Sequence, residues 1–323
     1  MYKIAIIGAG QIGSRHLQGL KRANINMSVS VVDTNQQSLE TAKKRYEEIE
    51  HDNHIESIAY LTSIDLLPPC LDLAIIATSS IPRADSTRCL LSSRKIENII
   101  FEKFLFPSVS DYFSIEKILN DHKTRAWVNC PRRHFSFYKE MKKMLADSTS
   151  MEMRLTGSNW GLACNSIHFI DLFAMLTGRN DFEINTSMLE KIIDSKRPGY
   201  IEFTGSINGK SLDNNNFYFS LTSREDCEDL LLYITTEKYK IIIMEPEGKA
   251  YIESQNGEKT EKEVKINYQS ELTGMMAEQI ILNHKSDLPV YSESIDLHLR
   301  FLKPVMEFYN RKIGKNADFC PIT

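Results

Sequence analysis

The chain has 323 residues, more than one average domain, which predicts two domains. Its net charge of −4, without a basic cluster, argues against a nucleic-acid-binding surface. No apolar run approaches the ~18 residues of a membrane span, and no signal peptide is expected. Six cysteines without a C-x-x-C pair indicate reduced thiols in the cytoplasm and predict no metal site.

A glycine-rich turn near the start links the first predicted strand, residues 4–7, to the first helix. Its three glycines have the spacing G-x-G-x-x-G, which allows a sharp turn, close approach of a pyrophosphate and tight packing of helix on strand. The helix N-terminus adds N–H donors and partial positive charge. The residues expected to bind a dinucleotide here are Gly8, Gly10, Gln11, Ile12 and Gly13.

The second predicted strand, residues 29–32, ends at Asp33. A carboxylate at this distance from the glycine-rich turn can accept hydrogen bonds from the adenosine ribose hydroxyls. It would also repel a 2′-phosphate. The predicted cofactor is therefore NAD, with NADP less favoured.

Strands and helices then alternate along the chain, with strands predicted at 58–61, 71–77, 96–101 and 126–128 and helices at 36–49, after Pro82 and at 110–120. This alternation predicts an α/β, doubly wound parallel sheet of the Rossmann type, placed at residues 1–125. Thr78, Ser79, Glu102 and Lys103 follow strand ends, where parallel sheets bind ligands, so they are expected to contact the cofactor.

The rest of the chain, 126–323, is predicted as an α+β domain with a large, mainly antiparallel open sheet for substrate binding and oligomerisation. Its strands are predicted at 151–158, 201–204, 217–220, 231–236, 239–244 and 264–266, and its helices at 165–176, 271–283 and 292–309. Turn residues between 183 and 267 support consecutive strands.

Apolar residues on both faces of this sheet predict self-association. One face is assigned Leu231, Tyr233, Ile241 and Ile243, and the other Leu230, Leu232 and Ile234. Helices of the same domain can cover only one face. The sequence therefore predicts a homodimer or homotetramer formed through the second sheet.

Several motifs resemble the Gfo/Idh/MocA family of NAD(P)-dependent oxidoreductases, and the resemblance covers essentially the whole chain. The motifs are the glycine-rich turn with Arg15 and His16, Asp72 to Ser79, Glu102-Lys103-Phe104, Asn129 to Phe135, His168 with Asp171, Leu288-Pro289 and the helix through His298. The resemblance implies a hydride transfer between a nicotinamide cofactor and a sugar or sugar derivative. It also places the family's active-site lysine at Lys103.

Lys103 and His168 are the predicted catalytic residues. A neutral imidazole is suited to accept the alcohol proton as hydride leaves, and the lysine to orient and polarise the substrate oxygen. The two are predicted to face each other across the nicotinamide, although they come from different domains. Asp171, three residues after His168, is interpreted as structural.

The segment before His168 departs from the family pattern. Many members have an aspartate four residues before this histidine, where this chain has Cys164 with Asn165 beside it. Three explanations stay open: the substrate differs, Asn165 substitutes in part, or catalysis has been lost. A second departure is Phe104, where the family has proline.

The predicted substrate-binding residues are Lys103, Arg132, Trp160, Cys164, Asn165 and His168. Arg132 and Arg133, with Arg83, suggest an acidic or nucleotide-linked sugar; helix-surface charge and core packing are the alternatives for these residues. Two other functions stay open for the whole chain. One is a non-catalytic regulatory protein that binds a dinucleotide or sugar, and the other is a reductase of a non-sugar substrate.

Overall fold

The computed structural model describes residues 1–49, 54–214, 216–227 and 229–323. They form two compact units that are not continuous in sequence. The first unit comprises residues 1–106, 110–129 and 267–294, and the second comprises residues 107–109, 130–266 and 295–323. Within the described part of the chain, no helix is long and apolar enough to cross a membrane.

The strands are β1 (Tyr2–Ile7), β2 (Met27–Val32), β3 (Ile55–Leu61), β4 (Cys70–Ile76), β5 (Lys95–Phe101), β6 (Arg125–Val128), β7 (Met151–Gly157), β8 (Phe182–Asn185), β9 (Leu189–Asp194), β10 (Ile201–Ser211), β11 (Phe217–Ser223), β12 (Leu231–Thr235), β13 (Tyr239–Met244), β14 (Lys249–Ser254) and β15 (Lys259–Glu263). The α-helices are α1 (Gln11–Leu20), α2 (Gln36–Glu47), α3 (Ser80–Ser93), α4 (Val109–Asp121), α5 (Ser136–Met144), α6 (Leu162–Thr177), α7 (Gln269–Asn283) and α8 (Tyr291–Ile313). Short 3₁₀ helices cover Ile64–Leu66, Pro131–His134 and Glu245–Glu247.

The first unit contains a six-stranded parallel sheet in the order β3-β2-β1-β4-β5-β6. Strands β1 and β4 have largely apolar sequences, β5 ends in the apolar run Ile99 to Phe101, and most residues of all three strands are buried. Such strands fit the middle of a sheet that is covered by helices on both faces. The strand order reverses between β1 and β4, and a doubly wound sheet binds ligands at this point. The predicted fold class of this unit is confirmed.

Helix α7 belongs to the first unit, although it lies far along the chain. It packs on α1 through two glycines with almost no space around them. A Cβ on Gly19 would lie 2.7 Å from the Thr273 Cβ, and one on Gly274 would lie 2.8 Å from the Gly19 carbonyl oxygen. The first unit therefore extends beyond the predicted range of 1–125, because it also contains β6 and residues 267–294.

The second unit contains a nine-stranded, mainly antiparallel sheet, as predicted. Its order is β15-β14-β13-β12-β7-β11-β10-β8, with β9 paired to β10, and the β7–β11 pair is parallel. Helix α6 covers one face with a nearly continuous apolar sequence. Phe173 of α6 packs against Phe182 and Phe219 of the sheet, with ring centroids 5.7 and 5.2 Å apart.

Several elements of the second unit were not predicted. Residues 264–266, predicted as a strand, follow the edge strand β15 instead. The sequence Lys-Thr-Glu-Lys-Glu of β15 has no apolar side and is fully exposed, so its hydrophobic pattern could not indicate a strand. Strands β8, β9 and β14 and the short helix α5 were also missed.

The predicted assignment of residues to the two faces of this sheet was wrong. In the hairpin β12–β13, Leu232 lies opposite Ile243 and Ile234 opposite Ile241, and all four are buried. Leu231 and Tyr233 therefore lie on the open face. Alternation within each strand was identified correctly, but the register between strands depends on the turn, and a shift of one residue exchanges the faces.

Candidate functional site

The glycine-rich turn packs tightly against the end of β4. A Cβ on Gly8, which has φ +99°, would lie 2.8 Å from the Thr78 nitrogen, and a Cβ on Gly13 would lie 1.8 Å from the Gly8 carbonyl oxygen. A Cβ on Gly10, in contrast, would have no neighbour within 4 Å. Gly8 and Gly13 are therefore required by the fold, whereas Gly10 leaves open space in front of the start of α1.

Asp33 holds the turn from the end of β2. Its Oδ2 accepts a hydrogen bond from the Ala9 nitrogen at 2.7 Å, and its Oδ1 accepts one from the Asn35 nitrogen at 2.8 Å. Each oxygen of an ionised carboxylate has a second lone pair, so the group can still accept hydrogen bonds from a ligand. The carboxylate is thus fixed beside the turn, and its contact with a ribose stays a prediction.

Thr78 and Ser79 follow β4 at the same edge of the sheet. Ser79 is the N-cap residue of α3, and the Thr78 hydroxyl is buried without a hydrogen-bond partner among the described residues. The fully buried Arg83 donates hydrogen bonds to the carbonyl oxygens of Thr78, Phe104 and Leu105. Arg83 therefore connects the segments that follow β4 and β5. Of the alternatives left open for this residue, its position agrees with core packing and not with a helix-surface charge.

Glu102 lies at the centre of a buried hydrogen-bond network at the end of β5. Its Oε1 is 2.9 Å from the His16 Nε2 and 2.5 Å from the Asn129 Nδ2. The His16 Nδ1 is 3.0 Å from the Thr273 hydroxyl, and Asn129 also donates to Gln269 at 2.8 Å. The network therefore connects α1, β5, the residue after β6, and α7.

The environment of Glu102 favours its ionised form. Burial alone would raise the pKa of this carboxyl, but the hydrogen bond and charge of His16, the hydrogen bond from Asn129 and the charge of Lys103 together hold the pKa below its ordinary value. The sequence indicated His16 and Glu102 only as parts of motifs. Their pairing across 86 residues became visible only in the structure.

Lys103 follows Glu102 directly and is half-buried, as expected for a residue at a parallel-strand end. Phe104, in the place of the family's proline, is fully buried, and the peptide bond that precedes it is cis. At this edge of the sheet the first unit brings together the glycine-rich turn, Asp33, Thr78 and Lys103. These are most of the residues predicted to bind the cofactor.

In the second unit, Cys164 and His168 lie one turn apart on α6, on the same side of the helix. The helix begins after Gly161, whose left-handed conformation ends the preceding loop. The buried carboxylate of Glu202, on β10, accepts hydrogen bonds from the nitrogens of Ala163 at 2.7 Å and Cys164 at 3.2 Å. Glu202 thus caps α6, a role that the sequence analysis missed because its helix lies some 40 residues earlier in the chain.

Arg132 makes a buried ion pair in the second unit. Its Nε and Nη2 donate to the two Glu245 oxygens at 2.9 and 2.5 Å, and its guanidinium lies 4.2 Å from the centre of the Phe169 ring. Burial alone would raise the pKa of Glu245, but the charge and hydrogen bonds of Arg132, with the Tyr138 hydroxyl, lower it. One edge of Arg132 is therefore occupied by protein, and its contact with a substrate anion stays a prediction.

Arg133 pairs with Asp171 in the same way. Its Nε lies 3.0 and 2.9 Å from the two carboxylate oxygens, and its Nη2 lies 2.7 Å from Oδ1. Asp171 is almost completely buried, so the ion pair attaches the 131–134 turn to the middle of α6. This contact agrees with the interpretation of Asp171 as structural.

Trp160 and Asn165 surround the start of α6. The Trp160 Nε1 donates to the Thr222 carbonyl oxygen at 2.7 Å, and the Asn165 Nδ2 donates to the Trp160 carbonyl oxygen at 2.7 Å. The Trp160 ring also packs edge-on against Phe169, with 5.7 Å between centroids. The predicted substrate residues of this unit thus gather around the first two turns of α6. No group of metal ligands occurs among the described residues.

Comparison with known proteins agrees with this geometry. Residues 2–130 match the family described as Gfo/Idh/MocA oxidoreductases with an NAD-binding Rossmann fold. No curated protein sequence matches the chain. The fold and the glycine-rich turn are those of an NAD-binding Rossmann domain. The predicted resemblance to the Gfo/Idh/MocA family is confirmed over residues 2–130.

Solved structures extend the similarity in fold to nearly the whole chain. A Gfo/Idh/MocA family oxidoreductase from Vibrio cholerae is 14% identical over 98% of this chain and 100% of its own, with a TM-score of 0.70. UDP-N-acetylglucosamine 3-dehydrogenase from Acidithiobacillus ferrooxidans is 10% identical over 94% and 96%, with a TM-score of 0.69. A super-repressor mutant of Gal80p from Saccharomyces cerevisiae is 13% identical over 97% and 96%, with a TM-score of 0.70. At these identities the similarity shows the fold alone.

Proposed function

We propose that this protein is an NAD(P)-dependent oxidoreductase that transfers a hydride between a nicotinamide cofactor and a CH–OH or C=O group of a sugar or sugar derivative. One observation carries the proposal. Open space at Gly10, the fixed carboxylate of Asp33 and the half-buried Lys103 lie at the same carboxyl edge of one parallel sheet. Ligands of doubly wound sheets bind at that edge.

The residues of the first unit fit a dinucleotide. The first-turn N–H groups of α1 can donate to the pyrophosphate across the space at Gly10, and the Thr78 hydroxyl has donor and acceptor capacity that the described residues leave unused. Asp33 favours NAD over NADP, because a second negative charge beside a fixed carboxylate is repelled. When bound, the nicotinamide supplies the hydride acceptor or donor.

The chemistry assigned to the protein is orientation and proton transfer. In the oxidation direction the His168 imidazole would accept the proton of the substrate hydroxyl as the carbinol is oxidised. Lys103 donates a hydrogen bond to the reacting oxygen and stabilises the negative charge that develops on it. In the reduction direction the proton returns from His168 to the carbonyl oxygen. Glu202 and Asp171 contribute by holding α6, which carries His168.

The substrate class is the finer part of the proposal. Trp160 offers an aromatic surface of the kind that packs on sugar rings, and the Arg132 guanidinium, which is paired with Glu245 on one edge, lies over the Phe169 ring of α6. These residues support an acidic or nucleotide-linked sugar. The fold that this chain shares with a UDP-N-acetylglucosamine dehydrogenase is compatible with this substrate class.

Cys164 supports a second candidate, a non-catalytic regulatory protein. Asn165 donates its amide to the Trp160 carbonyl, so it cannot at the same time act as a freely placed substitute for the family aspartate. Gal80p, a transcriptional regulator, has the same fold. A regulator would keep the dinucleotide turn and lose turnover. Reduction of a non-sugar substrate remains the third function to test.

An absorbance experiment on the purified protein separates these functions. NAD⁺ or NADH is added with a panel of uronic acids, inositols and nucleotide sugars, and reduced nicotinamide is followed. Formation or consumption of NADH with one substrate supports the sugar oxidoreductase. Cofactor binding without turnover of any compound, including non-sugar carbonyls, supports the regulator. Failure to bind either cofactor contradicts both proposals.

We also propose a cytoplasmic homo-oligomer that forms through the open face of the second sheet. Arg154, Tyr233, Ile242 and Tyr251 are successive cross-strand neighbours in one row on that face. Ile242 and Tyr251 are 38% and 42% exposed, which leaves apolar surface for a second copy to cover. An isologous dimer would place this row against itself.

A further inference from the structure

A cationic cleft lies at the amino edge of the parallel sheet in the first unit. It has a volume of about 620 Å³ and is lined by Lys3, Cys70, Leu71, Asp72, Lys95, Ile96, Glu97, His122, Lys123 and Arg125. These residues come from the starts of four neighbouring strands and from the turn after α4. Four of them are lysine or arginine, although the chain as a whole carries a net charge of −4.

The two acidic residues of the cleft already have protein partners. The Asp72 Oδ2 accepts a hydrogen bond from the Lys3 backbone nitrogen at 2.7 Å. The Glu97 Oε1 accepts one from the Arg125 Nη1 at 3.2 Å and lies 3.9 Å from the His284 Nδ1. Glu97 therefore offsets the charge of Arg125, and with Asp72 counted the four basic and two acidic residues leave the cleft a net charge of +2.

No carboxylate among the described residues lies within ion-pair distance of the ammonium groups of Lys3, Lys95 or Lys123. A concave surface with an excess of one sign of charge concentrates the electrostatic field and raises the local concentration of counter-ions. Lys123 adds a second observation, because it has φ +53° at the end of α4. Glycine or asparagine is usual in that conformation, yet this position holds a lysine.

The spacing of the lysines points to a ligand with several charges. Lys3 is on β1 and Lys95 is on β5, and β4 lies between these strands. Neighbouring strands are about 4.8 Å apart, so the two lysines start roughly 10 Å from each other. A chain of two or three phosphates spans this distance, so that each lysine can pair with a different phosphate without bending toward the other.

We propose that this cleft binds a small polyanion of the di- or triphosphate class. The site is separate from the cofactor turn, since the turn follows the carboxyl end of β1 and the cleft lies at its amino end, about 20 Å away along six residues. The proposal therefore does not depend on the proposed oxidoreductase activity. Cys70, an exposed free thiol that lines the cleft, provides a native reporter of occupancy.

The test uses the full-length protein with inorganic tripolyphosphate as the probe, at constant ionic strength. Iodoacetamide alkylates the thiols, and peptide mass spectrometry gives the rate at each cysteine. Cys89, exposed on α3 and outside the cleft, is the internal reference. We expect tripolyphosphate to slow alkylation of Cys70 in a saturable way and to leave Cys89 unchanged. Tripolyphosphate bound at the cofactor turn would not cover Cys70.

Charge-reversal variants complete the test. K95E/K123E should raise the half-protecting concentration of tripolyphosphate by about tenfold or more. K43E/K117E makes the same change of net charge at exposed helix positions outside the cleft. It should change the half-protecting concentration of tripolyphosphate by less than about twofold. If K95E/K123E does not fold by circular dichroism, K95Q/K123Q replaces it. Absence of protection in the natural protein, or an equal loss in the control, would overturn the proposal.

Discussion

Replacing His16 by alanine should destabilise the first unit strongly. His16 is fully buried and is a hydrogen-bond partner of the buried Glu102 carboxylate, which would then keep Asn129 alone as a partner among the described residues. Removing one partner of a buried ion pair typically costs about 3–5 kcal/mol. Because domains are stable by about 5–15 kcal/mol, this is roughly a fifth or more of the whole free energy of unfolding.

Urea unfolding followed by tryptophan fluorescence measures this effect. The chain has two tryptophans, and a Trp160→Phe background leaves Trp127, buried in the first unit, as the only reporter. With a slope of about 2–3 kcal/mol per M, the midpoint should fall by roughly 1–2 M. Thr273→Val removes the hydrogen bonds that the Thr273 hydroxyl makes with His16 and Gln269, but it leaves the contact of His16 with Glu102, and it should cost about 1–3 kcal/mol. His122→Ala, at an exposed site, should change stability by less than about 0.5 kcal/mol.

The same pair gives a pH dependence with a defined sign. The pKa of Glu102 is lower in the folded protein than its ordinary value, so its contribution is fully present above the pKa of the unfolded chain, about 4.3. This contribution is lost as pH falls through the folded value. Stability should therefore decrease below about pH 4.5, and the decrease should be smaller in Glu102→Gln. Two results would refute the role assigned to this network. One is a His16→Ala variant that is no less stable than His122→Ala, and the other is a Glu102→Gln variant whose loss of stability below pH 4.5 is unchanged.

Three further predictions concern cofactor, catalysis and assembly. Asp33→Ala should reduce the preference for NAD(H) over NADP(H) by about tenfold or more, because a hydrogen bond to a charged acceptor contributes about 1.5–3 kcal/mol. Fluorescence titration with both cofactors measures this preference, and tighter binding of NADP(H) by the natural protein would contradict the assignment. Lys103→Ala and His168→Ala should each lower turnover by about two to four orders of magnitude with nearly unchanged NAD affinity, whereas Cys164→Ser should have a mild effect. Tyr233→Asp should convert the oligomer to a monomer in light scattering, and a natural protein that is already monomeric at micromolar concentration would refute the assembly.

The sequence was most informative where one residue type satisfies a local steric requirement. At Gly8 and Gly13 any side chain would overlap backbone atoms, so the motif predicts the turn almost without reference to the rest of the chain. The buried strands β1, β4 and β5 were also predicted well, because a continuous apolar run has few alternatives in a parallel sheet. Asp33 was found from its distance to the turn.

The contacts around α6 could not be predicted, because they join residues that no local pattern relates. Glu202 lies on β10 and caps α6. Arg132 pairs with Glu245, which lies 113 residues later in the chain. In the sequence, an arginine beside a predicted substrate site looks the same whether it pairs with an anionic substrate or with a protein carboxylate. Only the three-dimensional contact distinguishes the two.

The contact of α1 with α7 affects the order in which parts of the protein can fold during synthesis. Gly19 and Gly274 meet at the centre of this contact, and Thr273 hydrogen-bonds to His16 across 257 residues. Synthesis at 5–20 residues per second separates residue 129 from residue 294 by roughly 10–30 s. During that interval the nascent Rossmann sheet emerges from the ribosome with the α1 surface uncovered. The first unit can therefore complete its folding only after most of the second unit has been translated.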